Sequence, residues 1–92
     1  MKLSKFIIFI FLLFIRFFVL AQNYDPKSQA LYQKGIEMFQ DSKYKEADSL
    51  FSLSLKLYPY RDTYYNLGLT KFHLNDTCGF CENMMNAAQL GD

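Results

Sequence analysis

The sequence predicts an all-α fold, in which two helix-turn-helix units form a short solenoid behind an N-terminal export signal. Three observations predict this fold. Apolar residues recur at intervals of three and four over most of residues 28–90, which is the spacing of one helical face. Turn-forming residues interrupt this pattern near positions 41, 59 and 75. The pattern that follows residue 60 then repeats the pattern that precedes it.

The first 21 residues are expected to be a secretory signal peptide that is cleaved after Ala21. Lysines precede an apolar stretch from Phe6 to Leu20, and Val19 and Ala21 occupy the positions before the cleavage site that require small residues. The alternative is an uncleaved inner-membrane anchor. Arg16 interrupts the apolar stretch, however, and a charge near the middle of a spanning helix is costly. We therefore expect export to the periplasm or cell envelope, where cysteines meet oxidising conditions.

The composition of the remaining 71 residues excludes several functions. They carry seven basic and nine acidic side chains, so the net charge is about −2 and no basic stripe is present that could follow phosphates. Nucleic acid is therefore not an expected partner. A chain of this length forms one small domain with little room for a deep catalytic cleft. Paired carboxylates, a phosphate-binding glycine loop and a nucleophile elbow are all absent from the sequence, so we expect neither an enzyme nor a cofactor.

The first helix-turn-helix unit is predicted over residues 28–60, after a polar linker at residues 22–27 whose Asp25 and Pro26 indicate a helix start. A turn at residues 41–43 separates two antiparallel helices of about 14 residues each, and Pro59 ends the second helix. The expected apolar face consists of Leu31, Gly35, Met38 and Phe39 in the first helix, and of Tyr44, Ala47, Phe51, Ser54, Leu55 and Tyr58 in the second.

A second unit of the same kind is predicted over residues 61–92, with a turn at Asn75 and Asp76. Its expected apolar face consists of Tyr64, Leu67, Gly68, Phe72, Leu74, Phe80, Cys81, Met84, Ala87 and Leu90. Four pairs of similar residues lie 33 positions apart: Gly35 and Gly68, Tyr32 and Tyr65, Phe39 and Phe72, and Leu57 and Leu90. A repeat of this length in helix pairs is typical of a solenoid.

These residues resemble the tetratricopeptide repeat (TPR) family over about 63 of the 92 residues. The residues that match the family pattern are Leu31, Gly35, Tyr44, Ala47, Phe51, Ser54, Pro59, Leu67, Gly68, Met84 and Ala87. The ending from Ala87 to Asp92 resembles a subgroup of exported bacterial repeat proteins, some of which carry a TonB-like carboxy-terminal domain. One position departs from the pattern, since Phe80 stands where the family usually has alanine. This departure implies a helix pair that is wider or slipped by one residue.

The resemblance implies a protein–protein interaction or scaffolding module that binds a partner protein or peptide on a concave surface lined by the first helix of each unit. The residues expected on that surface are Tyr32, Gln33, Ile36 and Gln40 from the first unit, and Tyr65, Asn66, Leu69 and His73 from the second. The lysine and asparagine clamp with which some members of the family grip a carboxylate is not expected. Its positions hold tyrosine, isoleucine and leucine here.

A pair of cysteines, Cys78 and Cys81, forms a CxxC motif at the start of the last predicted helix. One interpretation is structural, as a possible disulfide or with Cys81 packed between helices. A second is a disulfide to a cysteine elsewhere, and a third is thiol–disulfide or metal chemistry. Thioredoxin-like chemistry would need a preceding strand, and a zinc site would need more ligands than His73, the single histidine, can complete. Haem attachment would require histidine at position 82, where glutamate stands.

The outer side of the last helix is expected to remain uncovered. Phe80, Met84, Met85 and Leu90 cannot all face one neighbour on a helical wheel. Solenoids of this type usually need about three units and a polar cap, so we expect an exposed apolar patch and self-association through the last helix. The alternative is that the chain is the N-terminal part of a larger envelope protein.

Overall fold

The computed structural model of this chain describes residues 2–22 and 25–91, and these residues form five α-helices without a strand. The helices are α1 (Lys2–Gln22), α2 (Pro26–Gln40), α3 (Tyr44–Leu57), α4 (Arg61–His73) and α5 (Thr77–Leu90). The prediction of an all-α fold is confirmed. Within the described part, α2 packs against α3, α3 against α4, and α4 against α5.

The N-terminal segment forms the long helix α1, whose backbone does not come close to the other described helices. Its side chains from Phe6 to Phe14 are exposed apolar groups. Over residues 2–22 and 25–91, no helix combines the length and the apolar character that crossing a membrane requires. The side chains at the predicted cleavage site, Val19 and Ala21, lie outside the described residues, as do the middle of the predicted linker and the final residue Asp92.

Helix α2 begins at Pro26, so the last two residues of the predicted linker belong to the helix. The Asp25 carboxylate accepts a hydrogen bond from the Ser28 backbone N–H at 3.0 Å. This bond satisfies one of the amide groups that a helix start leaves without a partner. Proline suits the first turn because its missing N–H would have no partner there.

The two turns inside the helix pairs, which are 33 residues apart in the sequence, have the same geometry. Ser42 and Asn75 both adopt left-handed backbone conformations, with φ of 60° and 62°. The backbone N–H of Lys43 donates to the Met38 carbonyl at 2.8 Å, and that of Asp76 donates to the Lys71 carbonyl at 2.9 Å. Each turn thereby closes the end of its helix with the same hydrogen bond, so the repeat in the sequence is also a repeat in backbone structure.

A close approach between Gly35 and the Phe51 ring joins α2 to α3. A Cβ atom on Gly35 would lie 2.6 Å from Cε1 of Phe51, so only glycine leaves room for the ring. Ala47, a second small residue, is fully buried in the same core cluster as the Phe51 ring. Leu67 of α4 completes the same cluster, which therefore spans both helix pairs.

Two buried serines form a second link between α2 and α3. The Ser28 hydroxyl donates to the Ser54 carbonyl at 2.8 Å, and the Ser54 hydroxyl donates to the Ser28 carbonyl at 2.7 Å. Because both side chains are fully buried, each hydroxyl must find its partner inside the protein. The pair therefore fixes the register of the two helices as well as filling space.

In the α4/α5 pair, Met84 lies against Gly68 as Phe51 lies against Gly35. A Cβ atom on Gly68 would be 3.0 Å from the Met84 terminal methyl group. Phe80 does not enter the helix crossing as the alanine of the family pattern would. It is half-buried, with its ring 5.6 Å from that of Phe72, and the buried position is Asn83.

Three residues of the predicted apolar face of the second unit are exposed to solvent. Phe72 is 62 % exposed, Leu90 is 48 % exposed, and Cys81 is also exposed. These residues lie three or four positions from Gly68, Met84 and Ala87 in the sequence, but outside the area that the neighbouring helix covers. The periodicity therefore predicted more burial than the two packed helix pairs provide.

Candidate functional site

The eight residues predicted to contact a partner lie on α2 and α4, which are next to each other. We call this surface the α2/α4 face. Its exposed members are Gln33, Gln40, Tyr65 and His73, and its half-buried members are Tyr32, Ile36, Asn66 and Leu69. Tyr32 and Ile36 also pack against the core, so part of their surface is structural. The face combines aromatic rings with amide groups that can both donate and accept hydrogen bonds.

A hydrogen bond between Asn66 and Tyr32 connects the two helices of this face. The Asn66 side-chain amide donates to the Tyr32 hydroxyl at 3.1 Å and to the Asp62 backbone carbonyl at 2.8 Å. Burial raises the pKa of Tyr32, the negative charge of Asp62 raises it further, and the bond from Asn66 opposes both effects. The hydroxyl thus keeps its proton at neutral pH.

A surface cavity of about 220 Å³ lies at the N-terminal end of the face. It is lined by Gln29, Tyr32, Tyr60, Arg61, Asp62 and Thr63. The Tyr60 hydroxyl accepts a hydrogen bond from the Asp25 backbone N–H at 2.6 Å, which ties the start of α4 to the start of α2. The sequence pattern did not predict these residues, apart from Tyr32. Gln29 is a polar position of α2, and the other four lie around the start of α4, outside the apolar period. The available signal was the charged pair Arg61 and Asp62, which begins two residues after the helix-ending Pro59.

Thr63 on this cavity is fully buried, and its hydroxyl oxygen has no hydrogen-bond partner in the described part of the chain. A buried hydroxyl without a partner is unfavourable by about 1–3 kcal/mol. Thr63 lies at the edge of the α2/α4 face.

His73 at the other end of the face is held by an aromatic stack. Its ring lies 4.5 Å from that of Tyr44, with only 3° between the two planes, and the Phe39 edge lies against both rings. His73 therefore joins the end of α4 to the start of α3. A cavity of about 440 Å³ next to it is lined by Phe72, His73, Asn75, Thr77, Phe80 and Cys81.

Both cysteines are free thiols on the surface of the first turns of α5. Of the interpretations left open by the sequence, the one in which Cys81 packs between helices is therefore wrong. The helix start itself is capped by Asp76, whose carboxylate accepts from the Gly79 N–H at 2.9 Å. Among the residues that the structure describes, no cluster of three or more His, Cys, Asp or Glu side chains could hold a metal ion.

The geometry of the site thus offers a polar and aromatic face on α2 and α4, and a separate pair of thiols on α5. No protein-family model, no curated protein and no solved structure matches this chain.

Proposed function

We propose that this chain is an exported TPR-type module without enzymatic activity, which binds a partner protein or peptide on the α2/α4 face. The observation that carries the proposal is the juxtaposition of Tyr32, Tyr65 and Asn66 with exposed glutamines on two adjacent helices. Tyrosine is favoured in interfaces because each ring offers a large apolar area and a hydrogen-bonding hydroxyl.

Two repeated features support the TPR-type interpretation. The turns at Ser42 and Asn75 have the same backbone geometry and hydrogen bonds. Gly35 contacts Phe51 in the first unit, and Gly68 contacts Met84 in the second. The two glycines are 33 positions apart, and so are Phe51 and Met84. A glycine facing a bulky side chain at the same place in each helix pair lets the helices approach equally closely, as a stacked repeat requires.

The chemistry of the face favours a partner segment with accessible backbone groups. Gln33 and Gln40 are exposed, and amide side chains can pair with both the N–H and the C=O of a peptide. The stack of His73 on Tyr44 and the Tyr32–Asn66 bond hold the two ends of the face in place before binding. A surface that is ordered in advance loses less side-chain entropy on association.

The predicted signal peptide places this binding in the periplasm or cell envelope, with an uncleaved inner-membrane anchor as the alternative. Scaffolding then means holding a partner at the envelope, either alone or as part of a larger protein. The exposed pair of Cys78 and Cys81 favours a second candidate function, thiol–disulfide exchange or metal binding.

Site-specific crosslinking tests the proposed face in the native envelope. A photoreactive phenylalanine analogue at Tyr65, which is 50 % exposed, should crosslink a defined partner. The same group at Lys45, which is exposed on α3, is the matched control and should give no such product. Equal crosslinking at both positions, or none at Tyr65, contradicts the proposal. Transfer of a disulfide from the oxidised chain to a thiol substrate would instead support the second candidate.

A further inference from the structure

The junction between the two helix pairs shows how one pair receives the next. The Asp48 carboxylate of α3 lies 2.8 Å from the Lys71 ammonium group of α4. The Tyr32 hydroxyl of α2 accepts a hydrogen bond from the Asn66 amide of α4 at 3.1 Å, and rings of α2 and α3 hold the ring of His73. We call the surface on α2 and α3 the trailing edge of the first pair, and the surface on α4 the leading edge of the second.

The second helix pair carries an equivalent trailing edge at the surface of the described part of the chain. Its residues lie 33 positions after Tyr32, Phe39, Tyr44, Asp48 and Phe51, and they are Tyr65, Phe72, Thr77, Cys81 and Met84. Because the two pairs repeat the same turn and the same glycine contact, equivalent positions lie on equivalent sides of the helices. Tyr65, Phe72 and Cys81 are exposed, so a counterpart of the surface that holds α4 faces water.

The first helix pair carries the matching leading edge. Its residues lie 33 positions before Asn66, Leu67, Lys71 and His73, and they are Gln33, Lys34, Met38 and Gln40. Lys34 and Met38 line a surface cavity of about 420 Å³, and Leu50 of α3 also lines it. Leu53 and Leu57 follow Leu50 by three and seven residues, on the same side of α3, and both are exposed. An apolar groove at the leading edge is therefore open to a second molecule.

We propose that copies of this chain associate head to tail, with the leading edge of one copy docked on the trailing edge of the next. The strongest support is a paired change of chemistry. At the internal junction, the carboxylate of Asp48 faces the ammonium group of Lys71. At the equivalent positions both charges are replaced together, by the thiol of Cys81 and the thioether of Met38. Two apolar groups can be buried together, whereas a change in only one partner would leave a buried charge unpaired.

The contact between tyrosine and amide also has a counterpart. Gln33 stands in the place of Asn66, and Tyr65 stands in the place of Tyr32. Both side chains are exposed, so the glutamine amide of one copy can donate to the tyrosine hydroxyl of the next. The proposed junction therefore keeps one polar contact of the internal junction and replaces the other with an apolar contact.

Lys34 makes the proposed junction weaker than the internal one. It stands in the place of Leu67, which is buried in the core cluster. A lysine stem can lie on apolar surface while its ammonium group stays in water, but it then buries less area than a leucine does. Association between copies should therefore be reversible.

The two edges are different surfaces, and this determines the kind of assembly. Each copy that uses its leading edge keeps its trailing edge for a further copy. Such a heterologous contact produces open rows unless the rotation between copies closes a ring. Packing of α5 against α5 of a second copy would instead be isologous and would stop at a dimer. The inference does not rest on partner binding at the α2/α4 face.

Disulfide crosslinking between the two edges tests this polarity. The full chain with Cys78→Ser and Met38→Cys is expressed in the envelope and treated with diamide, which accepts the two thiol hydrogens. A disulfide from the new cysteine to Cys81 of the next copy should give a ladder of dimers, trimers and larger multiples on a non-reducing gel. The matched control is Lys45→Cys with Cys78→Ser, because Lys45 is exposed on α3 outside both edges. It should give at most a dimer through Cys81.

Charge exchange tests the paired chemistry. Sedimentation of the full chain in a non-ionic detergent measures association, and α1 is the same in every variant. Cys81→Asp, at an exposed position, should weaken association by about 10-fold or more because it places an unpaired charge in the junction. Adding Met38→Lys recreates the pair that Asp48 forms with Lys71 and should restore association.

A leucine substitution tests the junction without a risk to folding. Lys34→Leu, at an exposed position, should strengthen association by about 10-fold or more, because it supplies the apolar group that Leu67 supplies inside the chain. Lys45→Leu adds the same group outside both edges and should not.

Three results overturn the proposal: a dimer alone from Met38→Cys, equal ladders from Met38→Cys and Lys45→Cys, and equal association of Lys34→Leu and Lys45→Leu. Tyr65 belongs both to the trailing edge and to the α2/α4 face, so the mass of its photocrosslinked product separates the two functions. A multiple of this chain supports head-to-tail association. A product with a different protein alone supports partner binding and counts against head-to-tail association.

Discussion

The ring of Phe51 occupies the place where any side chain on Gly35 would be, with its Cε1 atom 2.6 Å from the position of a Cβ atom. The equivalent pair in the second unit, Gly68 and Met84, is less tight. There the distance is 3.0 Å, and the opposing atom is the end of a flexible side chain. Because of this difference, replacing each glycine with alanine should have different effects on the stability of the protein.

Gly35→Ala should destabilise the protein, while Gly68→Ala should not. Overpacking a core costs about 1–3 kcal/mol, and the Phe51 ring 2.6 Å from the Cβ position should put Gly35→Ala in the upper part of this range, above the roughly 1 kcal/mol that alanine gains in helix propensity. At Gly68 the methionine can move, so gain and loss should cancel to within about 0.5 kcal/mol. Urea unfolding followed by circular dichroism measures both variants. Equal stabilities would show that the Phe51 ring is not fixed against Gly35.

The Ser28 and Ser54 pair should behave as one unit. Ser28→Ala or Ser54→Ala removes one hydroxyl and its hydrogen bond to the backbone carbonyl of the facing helix, at a cost of about 0.5–1.5 kcal/mol. The double variant should lose less than the sum of the two single variants, with a coupling of about 0.5–3 kcal/mol. Additive losses in the unfolding experiments would mean that the two hydroxyls act independently.

Tyr32 should ionise at a pH above its ordinary pKa of 10.0. Asp62→Asn should lower the pKa of Tyr32 because it removes a negative charge, and Asn66→Ala should raise it because it removes the stabilising hydrogen bond. Since the folded-state pKa is the higher one, the stability that Tyr32 contributes is complete below pH 10 and is lost as the pH rises through the raised value. Ultraviolet titration, with Tyr32→Phe as the reference, measures these shifts. A raised pKa of Tyr32 in Asp62→Asn, or a lowered one in Asn66→Ala, would contradict the assigned causes.

Residues 22–92 should self-associate through exposed apolar side chains that include Met85. Met85→Glu should reduce association without unfolding the domain, because Met85 lies on the surface. Met84→Glu should unfold it instead, since the Met84 side chain lies against Gly68. Sedimentation velocity and circular dichroism separate the two outcomes. A monomeric unmodified fragment would refute the prediction.

Export should remove residues 1–21, so that the mature chain begins at Gln22. A small residue is needed directly before the cleavage site, and Ala21→Arg should therefore block processing. Amino-terminal sequencing of the protein from the envelope fraction measures the cleavage. Recovery of an intact Met1 in membranes would favour the anchor alternative.

Local chemistry in the sequence was sufficient to predict the helices of both pairs and their connections. Asp25 caps α2, Pro59 follows the end of α3, and Asn75 adopts the left-handed conformation that ends the α4 segment. Each of these features depends on a residue and its immediate neighbours, so a single sequence reveals it. Gly35 also stood out, because its spacing relative to Gly68 marked the repeat.

Only the tertiary structure decided which residues of each helical period are covered. Phe72 and Cys81 belong to the apolar face predicted from the spacing yet are exposed, while Thr63 and Ser28 are buried although they are polar. Periodicity states which side of a helix is apolar, but burial depends on how far the neighbouring helix extends over that side. The contact of His73 with Tyr44 likewise joins residues that are 29 positions apart, and their stacking exists only because α3 and α4 pack together.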